Sequence, residues 1–437
     1  MKRRSFLKRT VPLLAAPIVL GRGIDAIARP LDAALASMPA TDRVLVLIQL
    51  EGGNDGLNTV VPIDDDLYHR ARPNLRIDRG LALALDGQPL LALHPSLGGV
   101  QRLYNEGTLA IVENIGYERM NLSHFTGTEI WHTASGPRRE EFLTTGWIGR
   151  YLEREFPEYP DVLPAHPPAI EISPATSSVF TLRGSSVAMS LTDPEEFYAL
   201  VNGGPAIDEE PLIGGRAGRE WSYVESIGEQ SRTYAEAVRA ASTRAANRVT
   251  YADDALAASL AIVARLIAGG LETRLYKVTI RGFDTHTGQL APHAALLASL
   301  GGAIESFQRD LAAHGVDDRV VGMTYSEFGR RVRENGSGTD HGTAAPHFVF
   351  GATIAGGRTL GGVPRLDAAD EYGNLPHAVD FRCYFASVLA PLFAIGDEAL
   401  RTILPIGLCD VPSRLPLYRT SAVGGDGGSL PLEMDLR

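Results

Sequence analysis

Cysteine is nearly missing: Cys383 and Cys409 are the two in a chain of 437 residues. They limit the chain to one internal disulfide at most, and two unpaired thiols remain equally open. Positive charge is also short. The 41 Lys and Arg stand against 52 Asp and Glu, a net charge of -11, which argues against nucleic acid or an anionic membrane as the main partner. No repeat is visible, and no apolar run reaches the ~20 residues of a membrane-spanning helix, so no stable membrane span is expected. A dinucleotide-binding G-x-G-x-x-G is lacking as well. The glycine-rich turn "GGNDG" (52–56) has the wrong spacing and carries Asp55 where a pyrophosphate wants neutral backbone amides. What is present, 44% apolar and 21% charged residues, describes an ordinary globular chain of one large or two medium domains.

The N-terminus is built differently from the rest. "MKRRSFLKRT" leads into "VPLLAAPIVLG", a basic head followed by a short apolar stretch broken by Pro12 and Pro17. That is the layout of a signal peptide. Arg3 and Arg4, followed by Ser5, Phe6, Leu7 and Lys8, resemble the twin-arginine export signal. Residues 1–36 are therefore expected to be an export signal removed after Ala36. That makes the twin-arginine export machinery a partner and the mature protein periplasmic or secreted.

From residue 43 onward, strand-like and helix-like segments alternate, the order of an α/β three-layer sandwich with a mostly parallel sheet flanked by helices. The strand candidates are 43–50, 108–115, 274–282, 319–327 and 346–351, each an apolar, partly β-branched run ending in polar residues or glycine. Leu296, Leu300, Ile304, Phe307 and Leu311 recur at steps of three and four and predict one long helix with a buried stripe. A helical insert is expected at about 150–270, with a loop or joint near 201–218. The main domain is expected to span 43–395, with an extended tail over 396–437.

In open α/β sheets the functional crevice lies beyond the carboxyl ends of the strands. Those positions collect Asn54 and Asp55, Ser123 and His124, Asp284 and His286, Ser326 and Glu327, and Asp340 and His341. Acids and imidazoles gathered at one sheet edge need neutralising, and a divalent cation does that. Asp, Glu and His donors without a thiolate suit zinc, manganese, or a carboxylate-rich magnesium or calcium site of one or two ions. The plainer reading of Asp55 is a hydrogen-bonded turn residue.

"NLSHFTGTEIWHTASG" (121–136) reads as a loop feeding a helix. Ser123 or Thr126 in its first turn either caps the helix or uses the positive helix end and a nearby metal to act as a nucleophile. His132 is expected to be a packing residue. Arg330, just past "SEFG", could grip an oxyanion bidentately, although Arg331 and Arg333 beside it suggest solvated surface.

"LEGGNDGLNTVVP", "GFDTHTGQ", "TYSEFGRRVRENGSGTDHGTAAPHFVFG" and the twin-arginine start together resemble the domain-of-unknown-function 1501 family of exported bacterial proteins, over about residues 43–395. That family in turn resembles the alkaline phosphatase and sulfatase superfamily, which implies an alkaline-phosphatase-like fold and metal-assisted hydrolysis of phosphate or sulfate esters. The resemblance implies Asp55, Asp284, His286, Glu327, Asp340 and His341 as metal ligands, with His293 a substitute for His286. It also implies Ser123 as nucleophile, with Arg330 steadying the transferred group and Asn54 and His124 at the substrate, a small-molecule or glycan ester. Glu327 stands where phosphatases commonly carry an Asp-His pair, a departure that bears on whether two ions fit. Two other classes stay open: an exported binding or assembly protein that kept the fold and lost the chemistry, and a metal-free serine esterase using Ser123 with His286 or His341.

Overall fold

The structure is a computed structural model that describes residues 42–159, 162–202, 231–405 and 414–419. The expected export signal, much of the expected 201–218 joint, Cys409 and most of the tail lie outside the described residues.

Nine strands form the main sheet: β1 (Val44–Glu51), β2 (Leu109–Gly116), β3 (Ala169–Ile172), β4 (Met189–Leu191), β5 (Leu275–Arg281), β6 (Val320–Tyr325), β7 (Ala345–Phe350), β8 (Arg358–Leu360) and β9 (Val379–Asp380). Their order is β8-β2-β7-β6-β1-β5-β3-β4, with β9 also paired to β2. The pairings of β1 with β5 and β6, of β5 with β3 and of β3 with β4 are parallel, whereas β7 runs antiparallel to both its neighbours. The expected mostly parallel sheet is what the chain forms, and all five strand candidates lie in it.

Side chains alternate along β1, so each face of the sheet is read from every second residue. Val44, Val46, Ile48 and Leu50 pack into one core, with helices α1 (Gly98–Asn105), α4 (Ala255–Ala268) and α5 (Leu290–His314). Leu45 and Leu47 pack into the other, with α2 (His124–Thr133), α3 (Trp147–Glu155), α6 (Phe381–Leu392) and α7 (Asp397–Ile403). The result is the three-layer sandwich. α5 buries Leu300, Ile304, Phe307 and Leu311 of the expected stripe, together with Leu297. Each is worth about 1.5–3 kcal/mol of removed apolar surface. The helix stops at Gly315, φ 69°, whose N–H bonds the carbonyls of Ala312 and Leu311. A left-handed residue at this place closes the helix end, and glycine adopts that conformation without a Cβ clash.

Two segments differ from expectation. The 150–270 stretch supplies the last two strands on one side of the sheet, β3 and the edge strand β4, as well as helices. At four and three residues, these strands are too short to show a period in the sequence. The region after 396 begins with α7, which packs on α3 and α6 rather than running extended. Among the described residues no helix is long and apolar enough to cross a membrane.

Candidate metal centre

Five loops converge beyond the carboxyl ends of the sheet. The turn after β1 is made of Gly52 and Gly53, with φ of 118° and 78°. A Cβ on Gly52 would stand 2.4 Å from the backbone nitrogen of Asp284, and one on Gly53 would stand 2.3 Å from the Phe328 ring. Glycine is therefore required twice over, by dihedral and by space, and the turn lies against the loops that follow β5 and β6. The loop after β2 leads into α2. There the Asn121 side-chain oxygen accepts from the Ser123 N–H at 3.0 Å, and the Ser123 carbonyl accepts from the Gly127 N–H at 2.7 Å, opening the helix. A hairpin of Arg330–Glu334 and Thr339–His341 places Arg330 opposite His341.

Asp284 lies at the middle of the cluster. Its Oδ1 is 3.1 Å from Nε2 of His286 and 3.1 Å from Nε2 of His341, and its Oδ2 is 3.4 Å from Nε2 of His124. The donor atoms of His124, Asp284 and His341 all fall within 4.8 Å of one another. His286 Nε2 is 3.0 Å from His341 Nε2. Phe328 packs against the rings of His341 and His124, with centroids 4.4 and 5.0 Å apart.

The far side of each ring decides what these nitrogens can do. His124 Nδ1 is 2.8 Å from Glu327 Oε1, His341 Nδ1 is 2.8 Å from the Leu122 carbonyl, and His286 Nδ1 is 3.5 Å from Asp340 Oδ1. A carboxylate and a carbonyl only accept, so Nδ1 of His124 and of His341 carries the proton. In the neutral rings, Nε2 then presents a lone pair toward the Asp284 carboxylate. Lone pairs facing a carboxylate repel unless a proton or a cation sits between them. Burial holds His341 below the usual imidazole range against the pull of Asp284, which disfavours the proton there. His124 is raised instead, chiefly by its bond to Glu327. Imidazoles backed by acceptors and converging on a carboxylate form a donor set that fits a divalent metal ion.

Asp284 keeps its charge. Burial pushes its carboxyl up, but the hydrogen bonds of Arg330 and His341 outweigh that and hold it at about 2. Asp340 is held below the usual range chiefly by its bond from Asn335, 3.0 Å away.

The expected residues divide into three groups. Asp284, His286 and His341, expected as ligands, converge, and His124, expected at the substrate, is corrected to a member of the same cluster because its Nε2 faces Asp284. Glu327 and Asp340 stand behind them: Glu327, 1% exposed, also accepts from the Gly52 N–H at 2.9 Å. Asp55, Asn54 and Arg330 are placed otherwise than expected. Asp55 is fully buried away from the imidazoles, with Oδ2 on Arg72 Nη1 at 2.6 Å and on Gln289. Burial raises its carboxyl, yet Arg72 brings it below the usual range. Asn54 is also fully buried, its oxygen 3.0 Å from Thr59 Oγ1 and 3.0 Å from Nε2 of His293, so no substrate reaches it. That bond takes His293 away from the cluster. Arg330 is corrected from an oxyanion grip to a clamp. Its buried guanidinium makes five hydrogen bonds, to the carbonyls of Gly52, Gly53, Phe283 and Thr339 and to Asp284, which tie it to the turn and the hairpin. Ser123 is exposed and forms no side-chain bond to the helix it opens. His132 is a packing residue between Ser178 and Tyr325, 3.0 Å from each.

Sequence reasoning missed Arg72, Gln289 and the Leu122 carbonyl. Arg72 sits in an unremarkable "HRARP", and a carbonyl carries no residue-type signal. Gln289 closes the quoted motif "GFDTHTGQ", the one place where attention to a buried amide could have found it.

Residues 212–380 match the family described as Protein of unknown function (DUF1501). The matched stretch holds Asp284, His286, Glu327, Arg330, Asp340 and His341, whereas Asp55, Ser123 and His124 lie before it. No curated protein matches the chain. Among solved structures it is similar to the lipoteichoic acid synthase LtaP from Listeria monocytogenes, with 9% identity over 82% of this chain and 73% of that one, TM-score 0.35. A protein in the alkaline phosphatase superfamily from Vibrio parahaemolyticus is 11% identical over 74% of this chain and 64% of that one, TM-score 0.34. The PsFucS1 sulfatase from Pseudoalteromonas sp. is 11% identical over 85% of this chain and 73% of that one, TM-score 0.38. All three scores are low, and the chemistry of the site rests on its own residues.

Proposed function

We propose that the chain is an exported, metal-dependent hydrolase of phosphate or sulfate esters, with the Ser123 hydroxyl as its nucleophile. One observation carries the reading: the imidazole Nε2 atoms of His124, His286 and His341 converge on the Asp284 carboxylate while their Nδ1 atoms are engaged elsewhere. Export rests on the signal-like N-terminus alone.

These four side chains would hold the ion. A divalent ion bound there supplies Lewis acidity toward an ester oxygen and lowers the pKa of a neighbouring hydroxyl. Ser123 lies next to His124 at the start of α2, with its hydroxyl not spent on the cap. The first N–H groups of α2 and its positive end favour an anionic ester there. Arg330 holds the Asp284 carboxylate from behind and keeps it ionised. Phe125, the residue after His124, is 90% exposed. It borders a cavity of about 370 Å³ with Thr126, Ile130 and Phe142, room for the group that leaves.

A metal-free serine esterase is less favoured, because among the described residues no hydrogen bond joins the Ser123 hydroxyl to His286 or His341. The test uses the full-length chain: elemental analysis, and turnover of aryl phosphates, phosphodiesters and aryl sulfates with and without chelator. The expected result is a co-purifying ion, turnover lost on chelation and restored by metal, and a loss of about 100-fold or more in Ser123→Ala. Absence of any ion, or an undiminished Ser123→Ala, overturns the reading. Turnover that survives chelation favours the esterase, and an ion that only raises the melting temperature favours a binding protein.

A further inference from the structure

We propose that the centre takes a single ion of the zinc or iron type, held by His124, Asp284, His286 and His341, and that Arg72 serves as the permanent cation of Asp55 where a second ion would otherwise be needed. This rests on the metal reading given above and adds the number and class of ion.

The first part follows from the donors. Three imidazoles and one carboxylate make a nitrogen-rich set, whereas magnesium and calcium are held by oxygen ligands. One oxygen of each of the other carboxylates nearby is already engaged. Glu327 Oε1 is shared between His124 and the Gly52 N–H, and Asp340 Oδ1 is bonded by Asn335.

The second part follows from how Arg72 is fixed. Its side chain is 0% exposed, as is that of Asp55. Besides the 2.6 Å contact with Asp55, Nε donates to the Val332 carbonyl at 3.0 Å, Nη1 to Asn58 Oδ1 at 2.8 Å and Nη2 to the Arg331 carbonyl at 2.9 Å. Asn58 is held in turn by the Leu75 carbonyl at 2.7 Å and by the Tyr68 hydroxyl at 2.9 Å. The guanidinium cannot swing away without breaking four hydrogen bonds in the buried interior, and it is always charged. A divalent ion on Asp55 would face that fixed charge in a buried, low-dielectric site. Among the described residues one Asp55 oxygen, Oδ1, has no partner, and the neighbouring Asn54 Nδ2 has none either. A single carboxylate oxygen and an amide nitrogen are no ligand set for a second ion.

The test is elemental analysis of the purified full-length chain after exchange into metal-free buffer, on the wild type, Asp55→Asn and His286→Ala, with circular dichroism as the check on folding. The expected result is a single zinc- or iron-type ion per chain in the wild type, the same content in Asp55→Asn, and loss of the ion to chelator in His286→Ala. Two ions per wild-type chain, magnesium or calcium as the ion, or loss of metal from a folded Asp55→Asn overturns the proposal. If Asp55→Asn does not fold, the wild-type count and the His286→Ala result decide. No ion at all overturns the metal reading as well, which separates the two failures.

Discussion

Glu327 reaches the centre only through His124. Its carboxylate accepts from His124 Nδ1 and from the Gly52 N–H, and its side chain is almost wholly out of water. An acceptor behind a ligating imidazole fixes the ring and raises its basicity, and losing the charge there typically weakens metal binding by 10–100-fold. Glu327→Gln keeps an oxygen for Gly52 and removes the charge. It is therefore expected to fold normally and to bind zinc about 10–100-fold more weakly, as read by competition with a chromogenic chelator. Unchanged affinity would mean that Glu327 is only a strut for the turn. At this scale the sequence showed residue types and not roles. Asp55 and Glu327 looked like ligands because an acid after a strand is all that a one-dimensional pattern displays. The counter-ion of Asp55 lies 17 residues away at Arg72, and the acceptor behind His341 is a backbone carbonyl 219 residues away.

The turn after β1 is the element on which the geometry depends, because Gly52 touches the Asp284 backbone and also donates to Glu327. Gly52→Ala introduces a Cβ at φ 118°, 2.4 Å from a backbone atom that cannot yield as a side-chain tip would. A destabilisation of about 3 kcal/mol is expected, together with loss of zinc binding as Asp284 is displaced. Gly80→Ala, with nothing within 4 Å of the added carbon, is the matched control and should change neither. Urea unfolding and zinc titration of both variants check this, and a stable, zinc-binding Gly52→Ala would refute it. Elements were the most legible part of the sequence. β1, β2, β5, β6 and β7 are long apolar runs ending in polar residues, and α5 shows its stripe. β3 and β4 were missed because their pairing is set by neighbours distant in sequence, which no local pattern encodes. The placement of functional side chains beyond the strand ends was legible because sheet topology dictates it.

For the whole molecule, an ion at the proposed centre would act as a clip between segments far apart in the chain, His124 on α2, Asp284 and His286 after β5, and His341 before β7. An ion bound only by the folded state adds stability by mass action, about 2.7 kcal/mol when free ion stands at 100 times the dissociation constant. Chelation is thus expected to lower the calorimetric melting temperature, and zinc to restore it; a melting temperature indifferent to both would remove the clip. Acid acts on the molecule through different groups. Burial holds His347 at about 3, with neither ring nitrogen partnered among the described residues, and burial holds His293 at about 4 against the opposing charge of Asp55. In the unfolded chain both titrate near ~6.5. Below that value the unfolded state binds protons that the folded state refuses, so stability is complete above about 6.5 and declines as the pH falls toward the folded values. Each histidine contributes up to about 1.4 kcal/mol per pH unit over that interval. His347→Leu removes one such group from a site lined by Trp131 and Tyr384 without leaving an unpaired nitrogen. Its unfolding free energy, measured by urea titration in chelator between about pH 6 and pH 4.5, should fall less steeply with acid than that of the wild type, by about that amount per unit. Parallel slopes would show that His347 takes up its proton as readily in the folded chain as in the unfolded one, and the acid sensitivity would then belong to His293 and the centre.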